Sequence, residues 1–183
     1  SEYRKFIEID GAVTVEQDYS TNQARIMYAK VGVSPPIDSY IVEGWPEGIR
    51  PIAKKAFNQL INSKPRLANE SQWRLFAPDI VPNPLPRNWH GYTKNIQIQI
   101  RREEFERRYG RPYDDLIRDL RDMHGPISEF FFSEAWGRIQ RLDSDVAERV
   151  MVSLLDRDIP ITVLPIHDSF IVQIGEAAHL DAI

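Results

Sequence analysis

The sequence predicts an α+β fold, an antiparallel sheet backed by long helices. Three observations predict it. Strand-like runs lie near both ends, over residues 4–18 and 161–174. A long helical run extends from Pro126 to about Arg157. A strongly amphipathic stretch runs from Ile49 to Asn62. At 183 residues and 42% hydrophobic, the chain suits one compact domain with a real core.

Arg4 to Asp18 reads as two strands. Phe6, Ile7 and Ile9 lead to Asp10-Gly11, a favoured two-residue hairpin turn, and Ala12, Val13 and Val15 form the return. From Ser20 the pattern turns helical, with Ala24, Met27 and Tyr28 on one face; Gly32 and Pro35-Pro36 stop it. In the second helix Ile49, Ile52, Ala53, Ala56, Phe57, Leu60 and Ile61 form the apolar stripe, Pro51 fits the first turn, and Arg50, Lys54 and Asn58 share another face. Residues 64–95 hold five of the 13 prolines among Trp73, Phe76, Trp89 and Tyr92, the pattern of an irregular excursion packed by aromatics. Basic helical stretches follow, Arg101–Tyr109 and Asp114–Arg121. The long run to Arg157 comes next, with Gly137 as its expected break. Ile161–Ile166 and Phe170–Ile174 read as strands around His167-Asp168-Ser169. The chain starts at Ser1 and stops within a starting helix, which reads as a piece of something longer, with further domains or partner subunits to be expected.

Composition excludes several classes. With no cysteine there is no disulfide scaffold, thiolate metal site or cysteine nucleophile, and a reducing, cytoplasmic setting fits. No apolar run approaches the roughly 20 residues of a membrane span, so no membrane partner is expected. The net charge of −4 argues against a nucleic-acid binder until it is resolved along the chain. Residues 87–121 carry nine basic and six acidic side chains, net +3, and residues 122–183 carry four and eleven, net −7. The basic segment, with Arg101 and Arg102 among tryptophans and tyrosines, suits a phosphate backbone and exposed bases. A solvated helix balanced by Glu103, Glu104 and Glu106 is the equal alternative.

Two aspartates concentrate the chemistry. Asp168 lies between two apolar strands, where an ionised carboxylate needs a partner: a metal ion, a cation or a helix N-terminus, or else its own turn backbone. Asp18 ends an alternating strand and precedes a helix, so it either caps that helix or binds a ligand. Taken together, two such carboxylates far apart in sequence suit a shared divalent-metal site, with oxygen ligands holding Mg²⁺ and phosphates completing its shell. Arg50 and Lys54, one turn apart, suit a triphosphate tail; the alternative is a solvated helix face.

These residues resemble a known family. Asp18-Tyr19-Ser20 followed by Arg25 resembles motif A of the family A DNA polymerases. Arg50, three residues, then Lys54 resembles motif B on the fingers helix, and Lys55 matches the second basic residue of the related phage-type single-subunit RNA polymerases. His167-Asp168-Ser169-Phe170 resembles motif C, and the order A, B, C agrees. Ile139-Gln140 is a weaker likeness to a glutamine on the helix before motif C.

The resemblance implies a polymerase palm over about residues 1–30 and 126–183, with a small fingers helix and insertion over about 31–125, in a bacterial or phage-like context. It implies that Asp18 and Asp168 hold two Mg²⁺ ions, replaceable by Mn²⁺, with help from the Tyr19 carbonyl. Arg50, Lys54 and Lys55 would bind the phosphates of a dNTP or NTP. His167, Gln140 and Arg25 would contact the primer-template. Gln23 stands where the DNA polymerases carry the glutamate that excludes a ribose 2′-OH, and Asn62-Ser63 replaces an aromatic-Gly pair, so the choice of sugar stays open. The function expected is template-directed nucleotidyl transfer. Two rivals are a non-catalytic nucleic-acid-binding or assembly module retaining the fold, and a metal-dependent nuclease.

Overall fold

The computed structural model describes residues 3–19, 21–166 and 169–181. In chain order these form β1 (Glu8–Ile9), β2 (Ala12–Asp18), α1 (Asn22–Val31), α2 (Arg50–Asn62), α3 (Lys94–Tyr109), α4 (Tyr113–Met123), α5 (Trp136–Leu155), β3 (Leu164–Ile166), β4 (Ser169–Gln173) and α6 (Ala177–Asp181), with short 3-10 turns between. The fold is α+β, as expected. The chain divides into two compact units, residues 1–26 with 138–183, and residues 27–137.

The first unit is built on a four-stranded antiparallel sheet of order β1-β2-β4-β3. Asp10 and Gly11 both take positive φ, 51° and 73°, the requirement of the tight hairpin turn that joins β1 to β2. Strand β1 is shorter than the alternation suggests, because Arg4–Phe6 coils into a 3-10 turn. Phe6 stays 72% exposed, so nothing rewards its extension into the sheet. Strands β2 and β4, distant in sequence, pair over five residues, from Thr14↔Gln173 to Asp18↔Ser169. One face of this pair carries the core. Phe170 and Val172 pack with Val150 and Leu154 of α5, Leu180 of α6 and Ile161, and Val15 and Tyr19 close its edge. Burying a side chain of this size contributes about 1.5–3 kcal/mol. Ile161 was expected in a strand. It instead closes the end of α5, its N–H donating to the Leu154 carbonyl at 3.1 Å, and β3 begins only at Leu164.

The second unit is helical. α1 buries Met27 and Tyr28 and ends where Gly32, at φ 70°, turns the chain; Gly32 and Val33 donate to the Ala29 and Tyr28 carbonyls, a Schellman closure. α2 buries the stripe read from the sequence: Ile52, Ala53, Ala56, Phe57, Leu60 and Ile61. The 64–93 excursion is irregular, held by buried Trp73, Phe76 and Trp89. α3 begins at Lys94, earlier than its charge pattern suggests, because Thr93 caps it and Gln97 reaches back to the Trp89 carbonyl at 2.9 Å.

The run after Pro126 departs furthest from its sequence pattern. It is not one helix. A 3-10 turn covers Gly125–Phe130, Phe132 and Glu134 take positive φ, and α5 starts at Trp136, with Gly137 inside its first turn rather than at the break. The cause is tertiary. The N–H groups of Phe132, Glu134 and Ala135 donate to the carbonyls of Leu60, Ser63 and Ile61, closing the C-terminal end of α2, whose last carbonyls have no partner within the helix.

Candidate functional site

The β2–β4 register brings two distant parts of the chain together. Asp18, exposed at the end of β2, pairs with Ser169, the residue that follows His167-Asp168 in the chain. His167 and Asp168 themselves lie outside the described residues. Ile166 of β3 pairs with the same Ser169 from the other side.

Alternation along β2 places Glu16 on the face that carries Asp18. Its Oε1 lies 2.6 Å from the buried Ser169 hydroxyl and 2.6 Å from Arg4 Nη1. Ser169 Oγ also lies 2.9 Å from the Ile166 carbonyl, but it has a single proton and the charged, closer carboxylate is the stronger acceptor. The bond from Ser169, seconded by Arg4 and opposed by partial desolvation, holds the Glu16 carboxyl below the usual range. Sequence reasoning missed Glu16, although its spacing of two from Asp18 on an alternating strand was the available signal.

Around this strand end, the Tyr19 ring meets Phe170 edge-on at 5.4 Å on the core side. Gln23 is half-buried in the first turn of α1, and exposed Arg25 lies with Nε 3.4 Å from the Thr21 hydroxyl. Asn22 donates to Asp143 of α5, tying the start of α1 to the helix that bears exposed Gln140. Among the described residues, no three His, Asp or Glu side chains form a group able to hold a metal ion.

The cations of α2 have different surroundings. Arg50 Nε donates to Asp38 Oδ2 at 2.6 Å, and its guanidinium lies over the Tyr40 ring at 5.6 Å. Exposed Lys54 lies over the same ring at 5.9 Å. Lys55 turns elsewhere, to Asp79 at 2.7 Å. Burial pushes the Asp38 carboxyl up, but hydrogen bonds from Arg50 and the Tyr40 N–H outweigh it and hold the group below the usual range. No sequence signal marks Asp38 or Tyr40, which sit in a loop after two prolines.

In the basic segment, Arg102 is internal. It donates to the Trp73 and Phe76 carbonyls at 3.0 and 3.1 Å, pairs with Asp114 at 2.5 Å and lies over the Tyr113 ring. Its remaining surface helps line an open groove of about 530 Å³ with Arg74, Ile98 and Gln99. Arg101 lies over the Trp89 ring at 5.5 Å. Arg107 and Arg108 both pair with Glu104, Arg111 with Asp115 and Asp119, and Arg118 with Asp115 and Glu70.

Compared with known proteins, the chain matches no family model, no curated protein and no solved structure. No helix among the described residues is long and apolar enough to cross a membrane.

Proposed function

We propose that this protein carries out template-directed nucleotidyl transfer to a primer 3′-OH. The observation that carries the reading is the pairing of Asp18 with Ser169, the chain neighbour of Asp168. It joins the strand that resembles motif A to the strand that resembles motif C in adjacent register. An all-oxygen donor set of Asp18, the Tyr19 carbonyl and Asp168, with Glu16 on the same strand face as Asp18, fits Mg²⁺ or Mn²⁺ rather than a softer metal. When bound, such ions activate an attacking hydroxyl and stabilise the leaving pyrophosphate.

The chain's own residues supply the rest. Arg50 and Lys54 bind the nucleotide's phosphates by charge-assisted hydrogen bonds, with Lys55 as an auxiliary. Gln23 stands where the resembled DNA polymerases carry the glutamate that excludes a 2′-OH, so both dNTP and NTP are candidate substrates. His167 and Gln140 contact the primer end and the minor groove, Arg25 braces the template strand, and Arg101 faces the nucleic-acid backbone, whereas Arg102, expected there from the sequence, is engaged by Asp114 and the Trp73 and Phe76 carbonyls and serves the fold.

The test is primer extension on DNA and RNA templates, with dNTP and NTP compared. Asp18→Asn and Asp168→Asn are expected to lower extension by more than about 100-fold, the scale of losing a principal electrostatic contribution to the transition state. Undiminished extension by both variants would sink the assignment. A second reading, a nucleic-acid-binding module without catalysis, is favoured by one observation. α2 ends on Asn62-Ser63 where the resembled fingers helices carry an aromatic-Gly pair, a departure at the nucleotide-facing helix. Binding of primer-template without incorporation by the unaltered protein would select it.

A further inference from the structure

A short loop segment, residues 38–40, lies against two of the three cations of α2, Arg50 and Lys54. Asp38 Oδ1 accepts the Tyr40 N–H at 2.8 Å while Oδ2 accepts Arg50 Nε–H at 2.6 Å, so one carboxylate fixes both a backbone turn and a guanidinium. The Tyr40 ring, 3% exposed, is braced from behind by Phe57 at 5.7 Å. Between them, the Ser39 carbonyl accepts from buried His124 Nε2 at 2.9 Å. The segment is therefore anchored to the core of the helical unit.

This anchoring has a chemical consequence. With Nε held by Asp38, the Nη edge of the Arg50 guanidinium remains as a donor fork, and 40% of the side chain is exposed. Lys54, one turn along, rests on the same ring and has no carboxylate partner among the described residues. Two cations held against one aromatic ring, each with open donors, match an extended anion that offers oxygens one helical turn apart.

We propose that Asp38 and Tyr40 are positioning residues for a polyphosphate group. They orient Arg50 and Lys54 so that both engage the same phosphate chain, the triphosphate of a nucleotide. The proposal rests on the polymerase reading above and adds to it the two loop residues that make the helix cations competent.

The test is calorimetric titration of the full chain with inorganic tripolyphosphate, which requires no polymerase activity. Lys54→Ala is expected to weaken binding at least tenfold. Asp38→Asn is the informative variant. It keeps the acceptor for the Tyr40 N–H, replaces the acceptor for Arg50 with an amide NH₂, and removes a negative charge. Simple charge attraction predicts tighter binding; positioning predicts binding about two- to tenfold weaker, the equivalent of ordering one long side chain anew. Tyr40→Leu is expected to weaken it similarly, with circular dichroism melts confirming that both variants fold. In extension assays Asp38→Asn raises the nucleotide KM by the same factor and leaves kcat in place. Unchanged or tighter binding by folded Asp38→Asn overturns the positioning role even if Lys54→Ala abolishes binding. No binding by the unaltered protein overturns the phosphate site and the proposal together. Absence of extension, with tripolyphosphate binding weakened by Asp38→Asn as expected, removes the polymerase reading alone and leaves the positioning role standing.

Discussion

Helix α2 and the α3–α4 pair both carry cations on a polar face, but the two regions use them differently. Along α3 and α4, guanidinium groups close on carboxylates of their own unit: Arg102 on Asp114, Arg107 and Arg108 on Glu104, Arg111 on Asp115 and Asp119, Arg118 on Asp115 and Glu70. Arg121 lies over Trp73 and Phe132. On α2, Lys54 meets only an aromatic face, Arg50 is held by Asp38 through one of its five N–H donors, and Lys55 closes its charge on Asp79. The region with the greater positive charge in sequence thus has most of its arginines paired with carboxylates, Arg111 and Arg118 with two each, whereas on α2 Arg50 and Lys55 each meet one carboxylate and Lys54 none among the described residues. Availability of a cation depends on its neighbours, not on the density of arginine.

That contrast can be broken at its strongest point first. Arg102→Ala removes an ion pair and two carbonyl hydrogen bonds from a side chain only 18% exposed, and leaves Asp114 and two carbonyls without their donor. It is expected to cost about 2–4 kcal/mol in urea denaturation. A loss below about 0.5 kcal/mol would mean that Arg102 is as weakly engaged by the fold as Lys54 of α2.

The next effect is one of pH. His124 is fully buried, between the Tyr28 hydroxyl at 3.0 Å and the Ser39 carbonyl. Desolvation lowers its pKa from the ordinary 6.5, against the bond to Ser39. Below about pH 6.5 the unfolded chain therefore takes up a proton that the folded chain resists. Stability is full above that value and falls as the pH drops, by up to about 1.4 kcal/mol per pH unit. The lowered Asp38 and Glu104 carboxyls act in the same direction but only nearer pH 4. Melting temperatures at pH 7.5 and 5.5 are expected to differ, and His124→Asn should flatten the difference. A slope that survives this substitution would move the effect to another group.

The smallest effect is expected on α2. Lys54→Ala, at an exposed site with no carboxylate partner among the described residues, should change stability by less than about 0.5 kcal/mol while weakening tripolyphosphate binding. A large loss of stability would mean that Lys54, like Arg102, is a structural clamp.

Much of the fold was legible because it is local. The Asp10-Gly11 hairpin, the stop at Gly32 and the buried stripe of α2 follow from turn chemistry and periodicity within a few residues, and tertiary context did not contradict them. The candidate site was legible in part. Asp18, Arg50 and Lys54 were picked out by residue type and spacing, whereas Glu16, Asp38 and Tyr40 were not. Their relevance lies in partners 10 to 153 residues away.

Local pattern alone therefore accounts for the α+β class, the α2 face and the turn between β1 and β2. Packing between distant segments accounts for the rest. The run after Pro126 broke at residues 131–135 because the carbonyls ending α2 needed donors, and a backbone hydrogen bond between remote segments leaves no trace in periodicity. Likewise, every arginine looks alike in a sequence. Only the carboxylates and rings brought beside it determine whether it is held by several partners, as at Arg102, or through Nε alone with its outer edge exposed, as at Arg50.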